Sequence, residues 1–544
     1  MNKNNILHNN YITYRPIKQL RLPLELEFNV SADDPVRLVD TFVEEMDLSD
    51  LYSTYSRIRK NQATPAQLLK IVIYAAMNNI HSSRSIEIAC KRDINFMFLL
   101  EGVPAPDHAT IARFISVHLG ASPRKIMAEM DKILYHLGEI SARDIFIDGT
   151  KIESVANKYT FVWKHAVTKN LAKLTEKVLN HVKECEAAYG LQIVHNNQVS
   201  LHTLKRMRKK LYKIKLEAGI SFVHGIGKRK TDLQKSIELT EQNISKLQEY
   251  VSKLHKCGSR NSYSKTDEDA TFMRMKEDAM LNGQLKPAYN LQHGVDSEYI
   301  VWAEIFHNPT DTNTLIPFLD SMAKHLRFPY RNIVADAGYE SEENYRFIEL
   351  NNLVAYIKPN NYEISKTRKY KKDIGRRENM SYNAKNDCYT CHNGRDLTKQ
   401  YIQSRKTKAW YNRQITVYSG DCTGCQFKSA CIKGNNCKVP MEERNKVLNV
   451  SKYMERQRKV FLARLTSPLG TKLRMNRSIQ VEGSFANIKA DMGLRRYSYR
   501  GKTNVLTESI IVALAYNILR LDHRVKGRRT GLHLYELNKA AYFF

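Results

Sequence analysis

The sequence has no apolar run long enough to cross a bilayer as a helix. Its longest, Ile510 to Leu521, falls short of a span and is interrupted by Asn517 and Arg520. The first residues, MNKNNILHNNYITYRP, lack the apolar core of a secretory signal, so neither a membrane nor export is expected. Acidic residues are also in deficit: 86 Lys and Arg face 56 Asp and Glu, a formal charge of +30 with a pI near 9.6. A polyanionic partner is the simplest explanation of that imbalance. Cysteine is too sparse for a disulfide framework, with 9 in 544 residues, and five of them crowd between Cys388 and Cys431. A local metal site or reduced thiols fit that distribution better.

What is present points to several units, since 544 residues exceed what one core usually organises. Basic blocks recur at Lys205 to Lys215, Lys228 to Lys230, Lys366 to Arg377, Arg495 to Lys502 and Arg524 to Arg529, which offers many separate phosphate contacts. Residues 1–140 read as helical. Thr64-Pro65 is an N-cap and first helical position ahead of Leu68, Leu69, Ile71, Val72, Ala75 and Ala76, and Ser82, Ser83 and Asp107 start further short helices. Such helices suit a helix-turn-helix reader of DNA ends or a dimerisation domain, and the pattern does not choose between them. In residues 165–260, Leu233, Ile237, Thr240, Ile244, Leu247, Val251 and Leu254 alternate steps of four and three. This spacing predicts a coiled-coil hairpin or an amphipathic helix packed on the main domain.

Between and after these helices the period changes to that of strands. Asp144 to Lys151 alternates apolar and polar residues into a glycine turn, predicting a strand that ends in Asp148. Strands follow at Ala288 to Val295 and Tyr299 to Phe306, joined by Asp296-Ser297-Glu298, then a helix from Pro309 through Met322. A strand Asn332 to Ala335 ends in Asp336, and a helix Ser341 to Leu350 leads to a strand Val354 to Ile357. Three strands, a helix, a strand, a helix and a strand is the order of a ribonuclease H-like core. The fold class expected is α/β, a mixed-sheet catalytic core with a helical N-terminal domain, a helical insert and a cysteine-rich insert. Asp148, Asp336 and the helical Glu482 are candidates for one metal-binding cluster. Two divalent ions taking carboxylate oxygens are what phosphodiester chemistry requires. Glu153, Asp144, Asp296 and Glu304 lack that paired context.

Six stretches then become recognisable together: ATPAQLLKIVIYAAMNNIHSSRSIE, PDHATIARF, DGTKIES with ANKY, YNLQHGVD, VADAGYES and RSIQVEGSFANIKADMGLRRYSYRG. In these the chain resembles the DDE transposases of bacterial insertion sequences, in the branch with an InsH-like N-terminal domain and a cysteine-containing insert. The resemblance implies an Asp-Asp-Glu triad at Asp148, Asp336 and Glu482 that holds two Mg²⁺ or Mn²⁺ ions. It implies binding of double-stranded DNA, both element ends and target, by a homodimer or larger synaptic complex in the bacterial cytoplasm and nucleoid. Related transposases carry a Tyr and an Arg seven and four residues before the Glu and a Lys seven after it. Here Lys489 matches, while those earlier positions are Met475 and Ser478. Arg474, Arg477, Arg495 and Arg496 join Lys489 as candidate DNA contacts.

Cys391, Cys422, Cys425 and Cys431, with Cys388 and Cys437 as substitutes, form a set suited to tetrahedral zinc, or else are reduced thiols in a disordered insert. The division expected is a helical domain to 140 and the first part of the core at 141–164, then the helical insert at 165–260 and the second part of the core at 261–360. A basic cysteine-rich insert at 361–445, the Glu helix and C-terminal helices at 446–525 and a tail at 526–544 complete it. A ribonuclease H-like nuclease or resolvase would use the same acids but would not need the large N-terminal domain or the glutamate-helix motif. A DNA-binding regulator descended from a transposase would be free to lose an acid, and all three are present.

Overall fold

A computed structural model describes residues 11–12, 30–55, 59–60, 62–193, 199–225, 227–275, 283–326, 330–407, 411–434, 437 and 439–533. Its N-terminal layer is built around the helix Pro65–Met77. The Thr64 side chain accepts from the Gln67 N–H, and the Gln67 carboxamide oxygen accepts from the Thr64 N–H, a reciprocal cap that starts the helix. Residues 65 to 76 are all buried, among the helices Pro35–Glu45, Ile94–Leu100 and Lys502–Lys526. Lys70 lies within this helix at 1% exposure. Its ammonium is neutralised by Asp40 at 2.5 Å, Glu44 at 2.6 Å and Glu101 at 3.4 Å. Among the described residues these are the only three acidic or ligating side chains drawn within 4.8 Å of one another, and Lys70 accounts for them. Ser82 and Asp107 cap Ser83–Arg92 and His108–Arg113.

The central sheet has six strands: β1 Asp144–Glu153, β2 Thr271–Arg274, β3 Leu285–Asp296, β4 Tyr299–Phe306, β5 Asn332–Ala335 and β6 Val354–Ile357. Their order is β6-β5-β1-β3-β2, and β4 pairs β3 along the same edge as β2, further along the strand. The strands β1, β5 and β6 run parallel, while β3 is antiparallel to β1, β2 and β4. The β3–β4 hairpin turns on Ser297 and Glu298 at φ 52° and 72°, the left-handed pair that a two-residue turn needs. Arg524 donates to Ser297 O at 2.8 Å and to the Glu298 carboxylate at 3.1 Å, which braces this turn. The expected strand Asn332 to Ala335 and strand Val354 to Ile357 appear with those bounds, and Ser341 caps the helix Glu342–Leu350.

Three elements depart from the sequence-based expectation. The heptad-like segment is the last helix of a three-helix unit, Lys164–Tyr189, Leu201–Glu217 and Asp232–Cys257, and not half of a two-helix hairpin. Leu233, Ile237, Ile244 and Leu247 meet Leu174, Val178, Val182, Leu204, Met207 and Leu211 in a core of their own, while Val251 is exposed. The unit joins the rest through the ribbon Phe161–Trp163 with Ser262–Ser264. The cysteine-bearing insert is ordered into a five-stranded antiparallel meander, Ser381–Asn383, Cys388–Thr390, Asp396–Lys406, Asn412–Gly420 and Lys446–Val450. Finally, Ile510 to Leu521 belongs to the helix Lys502–Lys526. That helix is long and apolar enough to cross a membrane by length and composition alone, and it is mostly buried in the protein. Its Asn517 side chain accepts from Ile300 N at 2.9 Å and donates to Ile300 O at 2.8 Å, satisfying the outer edge of β4. It therefore packs inside its own chain. One continuous core runs from the N-terminal helices through the sheet to this helix.

Candidate active site

Asp148 and Asp336 emerge at one edge of the sheet because of register. The parallel ladder of β1 on β5 ends with Ile147 opposite Ala335, so the next residue on each strand is one of the two acids. Asp148 is not at a strand end, as its alternation suggests, because β1 continues to Glu153 along β3. What stops there is the pairing with β5. Asp148 is nearly buried and accepts from Gly149 N at 2.8 Å, and half-buried Asp336 caps the turn Ala337–Tyr339 by accepting from Gly338 N at 2.7 Å.

Glu482 arrives on a helix that runs from Pro468 to Ala490 and widens at Ser478–Glu482 into a π-helical turn. Such turns are rare and cluster at functional sites, because they re-aim one side chain within a continuous helix. Val481 and Phe485 anchor this turn. Phe485 stacks on His293, with ring centroids 4.5 Å apart and planes 16° from parallel, and His293 is the β3 residue directly opposite Asp148. Burial pushes the His293 imidazole down to about 3, so it is a neutral packing surface here. Gln480 accepts from Glu298 N at 3.1 Å, tying the same turn to the β3–β4 hairpin. Glu482 itself is exposed and accepts from Ser478 Oγ at 2.9 Å. Arg477 joins the acids: it donates to Asp148 Oδ2 at 3.1 Å and lies 3.5 Å from Glu482 Oε1. Arg477 thus bridges two of the three predicted acids and Asp336 follows in adjacent register to Asp148, although the three carboxylates do not lie within 4.8 Å of one another.

Several residues at this place carry no signal in the sequence pattern. Asp311, on the turn Asp311–Asn313, accepts from Asn290 Nδ2 and Gln292 Nε2, each at 2.8 Å. Gln292 in turn accepts from the Tyr339 hydroxyl. Burial, then the charges of Asp311, Asp148 and Asp336, push the Tyr339 phenol well up, offset by Arg477. Thr312 Oγ1 donates to Gly338 O at 3.0 Å, and Asn344 Nδ2 donates to Thr312 O and Tyr339 O at 2.9 and 2.7 Å, which locks the two acid-bearing turns together. The β3 motif YNLQHGVD contains two of these residues, but nothing in its alternation marks which face they occupy.

The predicted DNA contacts separate into groups. Arg477 sits among the acids, and Lys489 lies on the same helix, half-buried. Arg474 donates to the Tyr362 hydroxyl at 3.0 Å and lies over that ring. Arg496 is tied to Ser154 O and Val155 O at 3.2 and 3.1 Å, a link between the late loop and the end of β1, while Arg495 is exposed. The acids lacking paired context have structural partners: Asp296 with Ser141, Ala142 and Ser297, Glu304 with Arg124, Asp144 with Asn332, and Glu153 with Lys286.

Cys391, Cys422, Cys425 and Cys431 line one small cavity at the end of the meander, together with Arg395 and Lys446. Burial pushes the Cys431 thiol up, as do the neighbouring thiols of Cys422, Cys391 and Cys425, against the charge of Lys446. The Lys446 N–H donates to Cys422 Sγ at 3.3 Å. Cys388 is buried in its strand and does not line the cavity, nor does exposed Cys437. No three of the sulfurs lie within 4.8 Å of one another, so a shared ion requires side-chain rotation.

An acid cluster at the edge of a mixed sheet, in a chain this basic, defines an enzyme class that acts on nucleic acid. Comparison with family models gives the particular one: a model described as Transposase DDE domain matches residues 390–522, and one described as Transposase domain (DUF772) matches residues 24–117. The chain therefore carries a transposase DDE domain behind an N-terminal transposase domain. The first match includes Glu482, Lys489 and the four cavity cysteines, whereas Asp148 and Asp336 lie outside both. No curated protein and no solved structure matches the chain.

Proposed function

We propose that this transposase binds the terminal inverted repeats of an insertion sequence and carries out strand cleavage and strand transfer at Asp148, Asp336 and Glu482. One observation carries the assignment: Arg477 pairs with Asp148 and reaches Glu482, while Asp336 is in adjacent register to Asp148. Two acids from remote parts of the chain thereby share one cation, and the third stands on the neighbouring strand. The antiparallel run β1, β3 and β4 followed by the parallel strands β5 and β6, with the short β2 added beside β3, supports a ribonuclease H-like core.

The donor set fits divalent Mg²⁺ or Mn²⁺. It consists of hard carboxylate oxygens, and the Arg477 guanidinium stands where a cation is attracted. Bound there, two such ions would activate the attacking oxygen and stabilise the leaving one. Asp148 and Asp336 supply their oxygens from the rigid sheet edge and Glu482 supplies one from the helix. Arg477 and Lys489 are placed to receive a phosphate of the element end. Both ends must be held at once, so the working form is a homodimer or larger complex on nucleoid DNA. The four cavity cysteines would hold a structural zinc that fixes the meander ahead of the Glu helix. The test is cleavage and strand transfer with Mg²⁺ on an end fragment. Transfer by wild type and its loss in Asp336→Asn support the reading, while cleavage without transfer favours a nuclease.

A further inference from the structure

We propose that Asp311 is a fourth carboxylate of the metal site, contributing an oxygen to a divalent cation beside Asp148 and Asp336. The inference rests on the reading of those two acids as metal ligands. Asp311 reaches the site from the turn between β4 and the helix Leu315–His325, an element that carries neither of them.

The two glycines measure its position. A Cβ built onto Gly338 would lie 3.0 Å from Asp336 Oδ1 and 3.5 Å from Asp311 Oδ2, so the two carboxylates flank one point. A Cβ built onto Gly149, the neighbour of Asp148, would lie 2.8 Å from Asp311 Oδ1. The turn at Gly338 therefore omits a side chain on the side that faces Asp311. At Gly149 the place of the missing side chain is taken first by the Gln292 carboxamide, which is the group that fixes Asp311 Oδ1.

The two Asp311 oxygens also differ. Oδ1 is fixed by the carboxamides of Asn290 and Gln292, while among the described residues no hydrogen bond ends on Oδ2. No described Lys or Arg pairs with Asp311, in a chain with thirty more basic than acidic groups. Around Tyr339 the negative charges of Asp311, Asp148 and Asp336 act together, with Arg477 opposing them. An oriented carboxylate with one oxygen anchored and one left open is how a hard divalent ion is commonly met, since outer hydrogen bonds aim the ligand.

Mn²⁺ binding to the full chain, measured by calorimetry and by electron paramagnetic resonance of the free ion, separates the possibilities. Asp311→Asn keeps the Oδ1 acceptor for both carboxamides and removes only the charge. It should lower Mn²⁺ affinity at least tenfold, or lose one of two ions, with the metal-free melting temperature unchanged. Wild-type affinity in Asp311→Asn, where Asp148→Asn has lost it, overturns the role of Asp311 and leaves the triad standing. Binding that Asp148→Asn does not alter overturns the triad reading and this inference with it. If Asp311→Asn does not fold, Fe²⁺-directed hydroxyl-radical cleavage of the wild-type backbone decides. Cuts are expected near 311 as well as near 148 and 336, and cuts at the latter two alone refute the proposal.

Discussion

Arg477 donates to Asp148 at 3.1 Å from a helix that begins more than three hundred residues later in the chain, and the same guanidinium lies 3.5 Å from Glu482. The sequence reading treats Arg477 as a phosphate contact separate from the acids. The structure makes it a cation held by two of the groups that would hold metal, so its loss should affect both activities.

Arg477→Ala should therefore tighten Mn²⁺ binding to the DNA-free protein, by roughly fivefold for a partly buried pair of about 1 kcal/mol. Binding to the element end, read by gel shift, should weaken at the same time. Unchanged metal affinity would mean that Arg477 and the ion do not compete for the same oxygens.

Asp148→Asn, Asp336→Asn and Glu482→Gln should each reduce both cleavage and strand transfer by about a thousandfold or more, since one metal site serves both steps. End binding should persist, because affinity for DNA comes mainly from Lys and Arg on phosphates. The check is a gel shift beside a Mg²⁺-dependent cleavage assay on the same fragment. An Asp336→Asn protein cutting at the normal rate would falsify the assignment.

Gly149→Ala should be as damaging as losing an acid while leaving the sheet folded. Its Cβ would collide with the Gln292 carboxamide and lie 2.8 Å from Asp311 Oδ1, displacing the network that aims the site. Turnover should fall about a hundredfold with a stability loss of roughly 1–3 kcal/mol, as for other overpacked positions. Near-normal turnover in a folded Gly149→Ala protein counts against a preorganised network.

Asp131 is fully buried with neither oxygen hydrogen-bonded, and burial, then the nearby charge of Asp296, pushes its carboxyl well up. Asp296 is itself pushed to about 6, chiefly by burial. A raised carboxyl contributes stability that is complete below its unfolded value near 4 and is lost as pH rises through the folded value. Asp131→Asn should thus stabilise the protein at pH 7 to 8 by about 1–3 kcal/mol, with the gain shrinking toward pH 4. Melting curves across that range measure it, and a gain that is constant with pH rules out the titration.

Zinc by elemental analysis of the purified chain should be near one per molecule. Cys422→Ser and Cys425→Ser should lose it and loosen the meander, whereas Cys388→Ser should retain it, because Cys388 lies outside the cavity. Protein with no zinc, or with zinc retained in both Cys422→Ser and Cys425→Ser, contradicts the site.

The places of the three candidate acids in the fold were legible because each stands next to a local signal. Alternation runs into Asp148, a four-residue apolar strand runs into Asp336, and a helical motif surrounds Glu482. Asp311, Gln292 and Tyr339 were not legible, since their meeting depends on register between β3 and two turns that sequence spacing does not encode. The heptad pattern of Leu233 to Leu247 correctly marked a buried stripe, but a stripe does not say how many helices will cover it. The cysteine insert hid its strands because Asp396–Lys406 is largely solvent-facing and Asn412–Gly420 buries four consecutive residues, so neither shows the alternation that marks a strand.

The helix Lys502–Lys526 closes β4 on one side and the helix Pro65–Met77 on the other. During synthesis, the N-terminal layer and this edge of the sheet therefore remain incomplete until a helix more than four hundred residues downstream of Pro65 has been made. A fragment that stops short of Lys502 lacks the surface both units pack against, so neither unit can close its core before that helix arrives.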